Sequence, residues 1–400
     1  MKHNIFTIIL LTFFASASSF AATSTRRHLT SKEYFARSFT EKNWHLRLKL
    51  NQRADAWDSK LENSIRYRIY VSPNFSLKMS ENFFLTANVS LGDTIGSVQS
   101  RFGDLRADSF IYLRDARMYY RNNIKTEKND YFYTLSLGAI EQRRFLRKFD
   151  LFMSKRALPG FEQIFKFSRN YRKKKSFGFD LRFFEGVPTS QAKTLDFNEK
   201  EDIPLLLNGR LEMYLKDMDL KPFGYRAGLS IGYFDFSSLP AVIADESRIF
   251  GNTVDGIGGA AEFRYDFKGW YAGWTAAIGF NRFEIFPYID MITNTAAPSG
   301  RNQGQRAGVH FKYHDKSLYS LDLEPFSFFN ESDASVASYN GSTYGHNNRE
   351  GFGINLALEL PKRDLKFWLT YVYSDILEEN SDLQVPYHFV GFKMEYKHDL

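Results

Sequence analysis

Apolar and polar residues alternate with a period of two along most of this chain. Trp44, Leu46, Leu48 and Leu50 interleave with His45, Arg47 and Lys49. Ile65, Tyr67, Ile69 and Val71 interleave with Arg66, Arg68 and Tyr70. Leu207, Leu211, Met213 and Leu215 share a face with Gly209, opposite Asn208, Arg210, Glu212 and Tyr214. Phe352, Ile354, Leu356, Leu358 and Leu360 oppose Gly353, Asn355, Ala357 and Glu359. Such alternation marks strands with two different surroundings. It predicts sixteen strands, at 42–51, 63–79, 83–92, 110–121, 131–141, 161–170, 176–185, 204–215, 223–236, 254–266, 269–281, 304–314, 317–325, 351–360, 365–374 and 387–398. Most are close to the roughly 9–11 residues that cross a bilayer at a tilt.

The connections alternate as well. Short ones fall at 80–82, 122–130, 171–175, 216–222, 267–268, 315–316 and 361–364, and longer ones at 93–109, 142–160, 186–203, 237–253, 282–303 and 326–350. A soluble sandwich has no reason to sort loop lengths this way, whereas a transmembrane barrel puts short turns on the periplasmic side and long loops outside. The fold expected is therefore all-β: a transmembrane antiparallel up-and-down barrel of about sixteen strands over 42–400.

Composition sharpens this picture. Aromatic residues make up 17% of the 400, with 40 Phe and 23 Tyr, yet the mean hydropathy is −0.40. No mature stretch approaches the 18 or so apolar residues of a helical span. A chain both aromatic and polar suits a wall with lipid on one face and water on the other. Met1-Lys2-His3, the apolar run Ile5–Phe14, and Ser19 and Ala21 before a cleavage point have the layout of a secretory signal peptide over 1–21. Residues 22–41 read as a polar periplasmic lead-in. Cysteine is absent, which removes thiol chemistry and Cys-based metal sites. The +7 net charge is interleaved with acidic residues, and no nucleic-acid motif accompanies it.

Three motif matches fail on context. Gly228-Leu229-Ser230-Ile231-Gly232 fits G-x-S-x-G but lies within a strand, not at the strand-to-helix turn a nucleophile needs. Gly256-Ile257-Gly258-Gly259-Ala260-Ala261 mimics a dinucleotide loop but leads into Glu262-Phe263-Arg264-Tyr265, read as strand. His310 and His314 have helical ligand spacing but would stand about 13 Å apart on a strand. No cofactor, metal or catalytic set is expected. The small residues Gly259, Ala261, Ala272 and Ala276 beside Trp270 and Trp274 form a flat outer patch suited to contact with another subunit.

Strand number, loop alternation and the last strand together resemble the bacterial outer-membrane porins across the whole mature length. Arg66-Tyr67-Arg68-Ile69 through Leu91-Gly92-Asp93 is similar to an early hairpin of porin-like families that include alginate-export and phosphate-selective channels. Gly391, Phe392, Met394, Tyr396 and Leu400 resemble the terminal signal read by the barrel-assembly machinery, although the final residue is not Phe and His398 interrupts the series. The resemblance implies an outer-membrane location against lipid and lipopolysaccharide. It also implies passive transport of small hydrophilic solutes, a homotrimer, and a third loop folded into the pore.

Selectivity in such a pore rests on charged rings and constrictions. The register places Arg47, Lys49, Arg66 and Arg68 together on the inner face, with Arg117, Arg210, Arg226, Arg264 and Lys366 also inward. Acidic partners are Asp115, Asp180, Glu212, Glu262 and Glu359. The third long loop carries Arg143, Arg144, Arg147, Lys148, Lys155 and Arg156 against Asp150 alone. Folded inward, it would favour anions by Coulomb attraction; facing outward, it would meet lipopolysaccharide phosphates. The alternative function is a structural or adhesive barrel whose loops bind surfaces while the lumen stays blocked.

Overall fold

The computed structural model describes residues 43–59, 63–96, 109–142, 151–153, 157–172, 175–189, 202–217, 223–315, 318–341, 345–379 and 384–399. The expected signal peptide and lead-in lie outside them. In chain order the elements are β1 (Trp44–Ser59), β2 (Asn63–Lys78), β3 (Phe83–Gly96), β4 (Ser109–Lys125), β5 (Asn129–Glu141), β6 (Ala157–Arg172), β7 (Lys175–Gly186), β8 (Leu205–Asp217), β9 (Phe223–Ser237), α1 (Ala241–Ile249), β10 (Val254–Asp255), β11 (Glu262–Phe263), β12 (Phe267–Phe280), β13 (Phe283–Asn294), β14 (Gln303–His314), β15 (Ser320–Asn330), β16 (Arg349–Leu360), β17 (Leu365–Ile376) and β18 (Tyr387–Asp399).

All but β10 and β11 form one closed antiparallel barrel of sixteen strands, each paired with its neighbour in sequence, and β1 closes on β18. A closed ring leaves no strand edge unpaired, the one way a sheet can sit in hydrocarbon. A strand of 12 residues, such as β14, at about 3.3 Å per residue and a tilt near 40°, spans about 30 Å along the axis.

The alternation read from the sequence is inverted relative to a soluble protein. Outward positions carry exposed apolar side chains, among them Ile111 (79% exposed), Leu137, Ile278 and Phe283. Inward positions bury Asn51, Asp55, Arg66, Ser72, Thr86 and Ser90. At the rim where the chain ends lie, tight turns join the strands. Asn281 takes a left-handed φ of 53° in the two-residue turn before β13, a backbone state that asparagine tolerates. Thr126 fixes the β4–β5 turn, its hydroxyl accepting from the Asn129 backbone N–H at 2.9 Å.

Two assignments from the sequence are corrected, and they cancel in the strand count. Residues 254–266 are not a barrel strand: they form a small loop hairpin, β10–β11, whose glycine-rich turn includes Gly256 and Gly258 at positive φ. Conversely, 283–294, taken as part of a long loop, is strand β13, and Phe267-Lys268, taken as a turn, begins β12. Arg264, Glu262, Gly259 and Ala261 consequently leave the wall, and Arg264 pairs with Asp255 on the exposed hairpin. The long connection is 238–266.

That connection packs inside the barrel mouth. Helix α1 buries Ile243, Ala244 and Ser247 on one face. Its apolar neighbours include Phe234, Phe236, Phe267, Tyr271 and Ile292 from the inner wall, Leu151, Phe152 and Met153 from the third loop, and Ala334, Val336 and Tyr339 from 331–348. Phe152 stacks on Tyr271 with ring centroids 5.2 Å apart. Gly232 is required here, because a Cβ would collide with the Tyr271 ring.

Candidate functional site

The lumen is the candidate site. Many of its ionic side chains gather at one level, three to six residues from the loop-side end of their strands: Arg53, Asp55, Arg66, Arg68, Arg114, Asp115, Glu162, Arg182, Arg210, Arg306 and Glu324. One group stands on β1 and β2. Asp55 accepts from Arg53 Nε at 2.6 Å, Arg68 Nη2 at 2.9 Å and Arg66 Nη2 at 3.1 Å, and Arg66 also lies over the Trp57 ring. A second joins β4, β6 and β7. Glu162 receives Arg182 Nε at 2.6 Å and Arg117 Nη1 at 3.3 Å, while Arg182 Nη2 donates to Gln142. A third centres on Glu324 of β15, which takes the Tyr288 hydroxyl at 2.5 Å, Arg306 at 2.9 Å and Asn355 at 3.1 Å.

Of the residues singled out in the sequence, Arg66, Arg68 and Arg210 belong to this belt, and Arg117 reaches it from below through Glu162. Arg47 and Lys49 face inward too, but not beside Arg66 and Arg68. They pair in register with Asn74 and Ser72 on β2, whereas Arg66 and Arg68 pair with Asp55 and Arg53. The cause is the length of β1, which continues to Ser59 instead of ending near 51. Arg53 and Asp55 therefore occupy the places expected for Arg47 and Lys49. Lys366 pairs with Glu359. Arg143, Arg144, Arg147 and Lys148, with Lys155 and Arg156, lie outside the described residues, although residues 151–153 of that loop pack against the wall.

Arg114 was missed, and a β-bulge explains it. The β3–β4 register shifts between Asn88 and Val89, which pair with Asp115 and Leu113. The extra residue is Arg114. A bulge re-aims a side chain, so Arg114 and Asp115 both face inward although they are adjacent. The sequence carried a signal: the outward apolar series runs on odd numbers at Ile111 and Leu113 and on even numbers at Met118 and Tyr120.

Below this belt the wall is wet. Lys166 pairs with Asp180 at 2.5 Å yet its side chain is 43% exposed, and Arg226, paired with Glu284, is 42% exposed. Ser230, from the G-x-S-x-G match, accepts from Arg210 at 3.4 Å in mid-strand, and no histidine stands on β8, β9 or β12 beside it. His310 directs its ring nitrogens to Asp322 and Glu324, while His314 meets Ser320.

Above the belt, buried amides tie the loops together. Asn252 donates to the Ser332 and Ser335 carbonyls at 2.6 and 2.9 Å and accepts from the Ala337 N–H at 2.7 Å. Asn347 donates to the same two carbonyls. Asp333 accepts from the Thr253 N–H at 2.9 Å and hydroxyl at 2.7 Å, and Tyr339 donates to the Thr189 carbonyl at 3.0 Å. Burial pushes the Asp333 carboxyl above the ordinary aspartate value of 3.8, against the pull of its donors. A raised folded value means that this group's contribution is fully present below the unfolded value and is lost as pH rises through the folded one. Amide exchange at Thr253, corrected for intrinsic rates, should therefore be slower in acid than at neutral pH. Asp333→Asn should flatten that dependence; an unchanged profile would reject the assignment to Asp333.

Solved structures give this architecture a context. OprB of Pseudomonas putida, in its high-pH structure, superposes with a TM-score of 0.53 at 10% identity, over 91% of this chain and 96% of that one. The fold is that of an outer-membrane porin. OprD of Pseudomonas aeruginosa aligns with a TM-score of 0.46 at 9% identity, over 90% and 94% of the two chains. OmpF of Salmonella typhi, solved with daunomycin, gives 0.44 at 10% identity, over 89% and 98%. No family model and no curated protein matches the sequence.

Proposed function

We propose that this porin-fold chain is an outer-membrane pore through which small hydrophilic solutes diffuse down their gradients, with a mild preference for anions and no covalent chemistry. The observation that carries the reading is the pairing of an apolar outer belt with inward lysine and arginine side chains that remain exposed to water. In this reading the long connections face outward towards lipopolysaccharide, both chain ends face the periplasm, and the barrel-assembly machinery inserts the chain. A homotrimer is the proposed assembly. The anion preference follows from Arg53 and Arg68, which share the carboxylate of Asp55 at belt level with Arg66 beside them. A fixed excess of cations there lowers the barrier to anions.

Reversal potentials across a salt gradient in planar bilayers should show chloride permeating faster than potassium. Asp55→Asn, which removes the shared carboxylate, should move the potential further in the anion direction. Cation preference in the unaltered protein would overturn the selectivity. The buried loop core at the mouth favours a second reading, an adhesive barrel with a blocked lumen. Purified protein that inserts but produces no conductance steps would establish that reading over the pore.

A further inference from the structure

Cationic side chains gather on the β1–β4 wall, and one of them is set apart by its contacts. Arg53, Arg66 and Arg68 converge on Asp55. Arg114 comes to the same wall through the bulge and meets no carboxylate among the described residues. Its Nε donates to the Ser90 hydroxyl at 2.5 Å, and its guanidinium lies 5.3 Å from the centroid of the Tyr70 ring. Gly92, the inward residue of β3 that pairs with Tyr70, puts no side chain on that face. Tyr70 is the next inward position on β2 after Arg68, and Ser72, the one after, lies 2.7 Å from Ser90 between hydroxyl oxygens. With Nε committed to Ser90 and the plane held against Tyr70, the two Nη nitrogens are left to face the lumen.

We propose that Arg114, steered by its bond to the buried Ser90 hydroxyl and set beside Arg68, forms an oxyanion station on the pore wall, at which a small carboxylate or phosphate solute pauses during passage. The proposal rests on the pore reading and deepens it. A guanidinium presents its donors as a planar fork matched to two oxygens of one group, which favours an oxyanion over a halide. The carboxylates of this wall are already engaged, Asp55 by Arg53, Arg66 and Arg68 and Asp115 by Arg117. The bulge lets Arg114 face inward beside Asp115: in a ladder continued from Asp115 and Arg117, residue 114 would point into lipid.

The test is single-channel chloride current in planar bilayers, titrated with sodium phosphate and, separately, sodium acetate. The unaltered pore should show saturable inhibition by one or both oxyanions. Arg114→Gln keeps a donor towards Ser90 but removes the fork and the charge, and should weaken the inhibition at least about fivefold. Arg114→Lys keeps the charge without the fork and should fall between the two. Arg226→Gln, on the opposite wall and already paired with Glu284, should leave it within about twofold. A conducting pore whose chloride current ignores both oxyanions, or in which Arg114→Gln and Arg226→Gln behave alike, would overturn the station and leave the pore standing. A protein that never conducts would overturn the pore reading and the station with it.

Discussion

Replacing Ala334–Tyr339 with a Gly–Ser linker of equal length should raise single-channel conductance roughly threefold, since conductance follows the narrowest cross-section of the water path. Ala334, Val336 and Tyr339 are the loop's contribution to the apolar cluster against Phe152 and Phe236. Tyr339 stacks on Phe236 at 5.8 Å and reaches across to the Thr189 carbonyl. Ser335 holds the third loop by donating to the Leu151 carbonyl at 2.7 Å. Without these anchors, 151–153 lose their cover and the loops can swing out of the mouth. The strands are untouched, so the barrel should still resist unfolding on unheated gels. An intact variant whose conductance equals that of the parent would show that these loops do not narrow the path.

Glu162→Ala should destabilise the barrel by about 3–5 kcal/mol, because it strands buried cations without a counter-charge. The Glu162 carboxylate is fully buried between Arg182 and Arg117. Arg117 retains Asp115 at 3.5 Å, so the loss falls mainly on Arg182, which also donates to the neutral Gln142. Changing Glu162 and Arg182 together to leucine should recover most of the loss, since a buried ion pair replaced by packed apolar groups is often close to neutral. Urea unfolding in detergent, followed by tryptophan fluorescence, measures both. Equal midpoints for Glu162→Ala and the parent would contradict the burial on which the estimate depends.

The barrel was legible because lipid outside and water inside impose opposite demands on successive residues, and β2, β8 and β16 keep that rhythm without interruption. It failed where the inner face is not wet. On β13 the inward residues include Phe286, Tyr288 and Ile292, which lie under loops or against the ionic belt, and the outward ones include Phe283, Ile285, Ile289 and Met291. Glu284, Asp290 and Asn294 also face inward, but the apolar residues between them blur the alternation, and Pro287 adds a residue usually kept out of central strands. The hairpin at 254–266 produced the opposite error, because a glycine-rich turn between two apolar residues copies a short stretch of the same pattern. At the site, the arginines of β2 were visible, but their partners were not. The register of β1 against β2 depends on where the strands end, which two-residue periodicity does not encode. The loop core was invisible for a related reason: Asn252, Asp333 and Asn347 read as ordinary polar loop residues until the fold brings positions about 80 apart into contact.

The seam between β1 and β18 joins Arg47 to Asp399 and Ser59 to Tyr387, partners more than 300 residues apart. Such a seam can form only after every intervening strand has found its place, so ring formation is a late, all-or-none event of very high contact order. Until then the two open strands carry unpaired amides and carbonyls that hydrocarbon cannot accommodate. An unfinished sheet of this chain thus has no resting state in the bilayer: its margins must be shielded by another protein's strands or remain in water until the last hairpin zips shut.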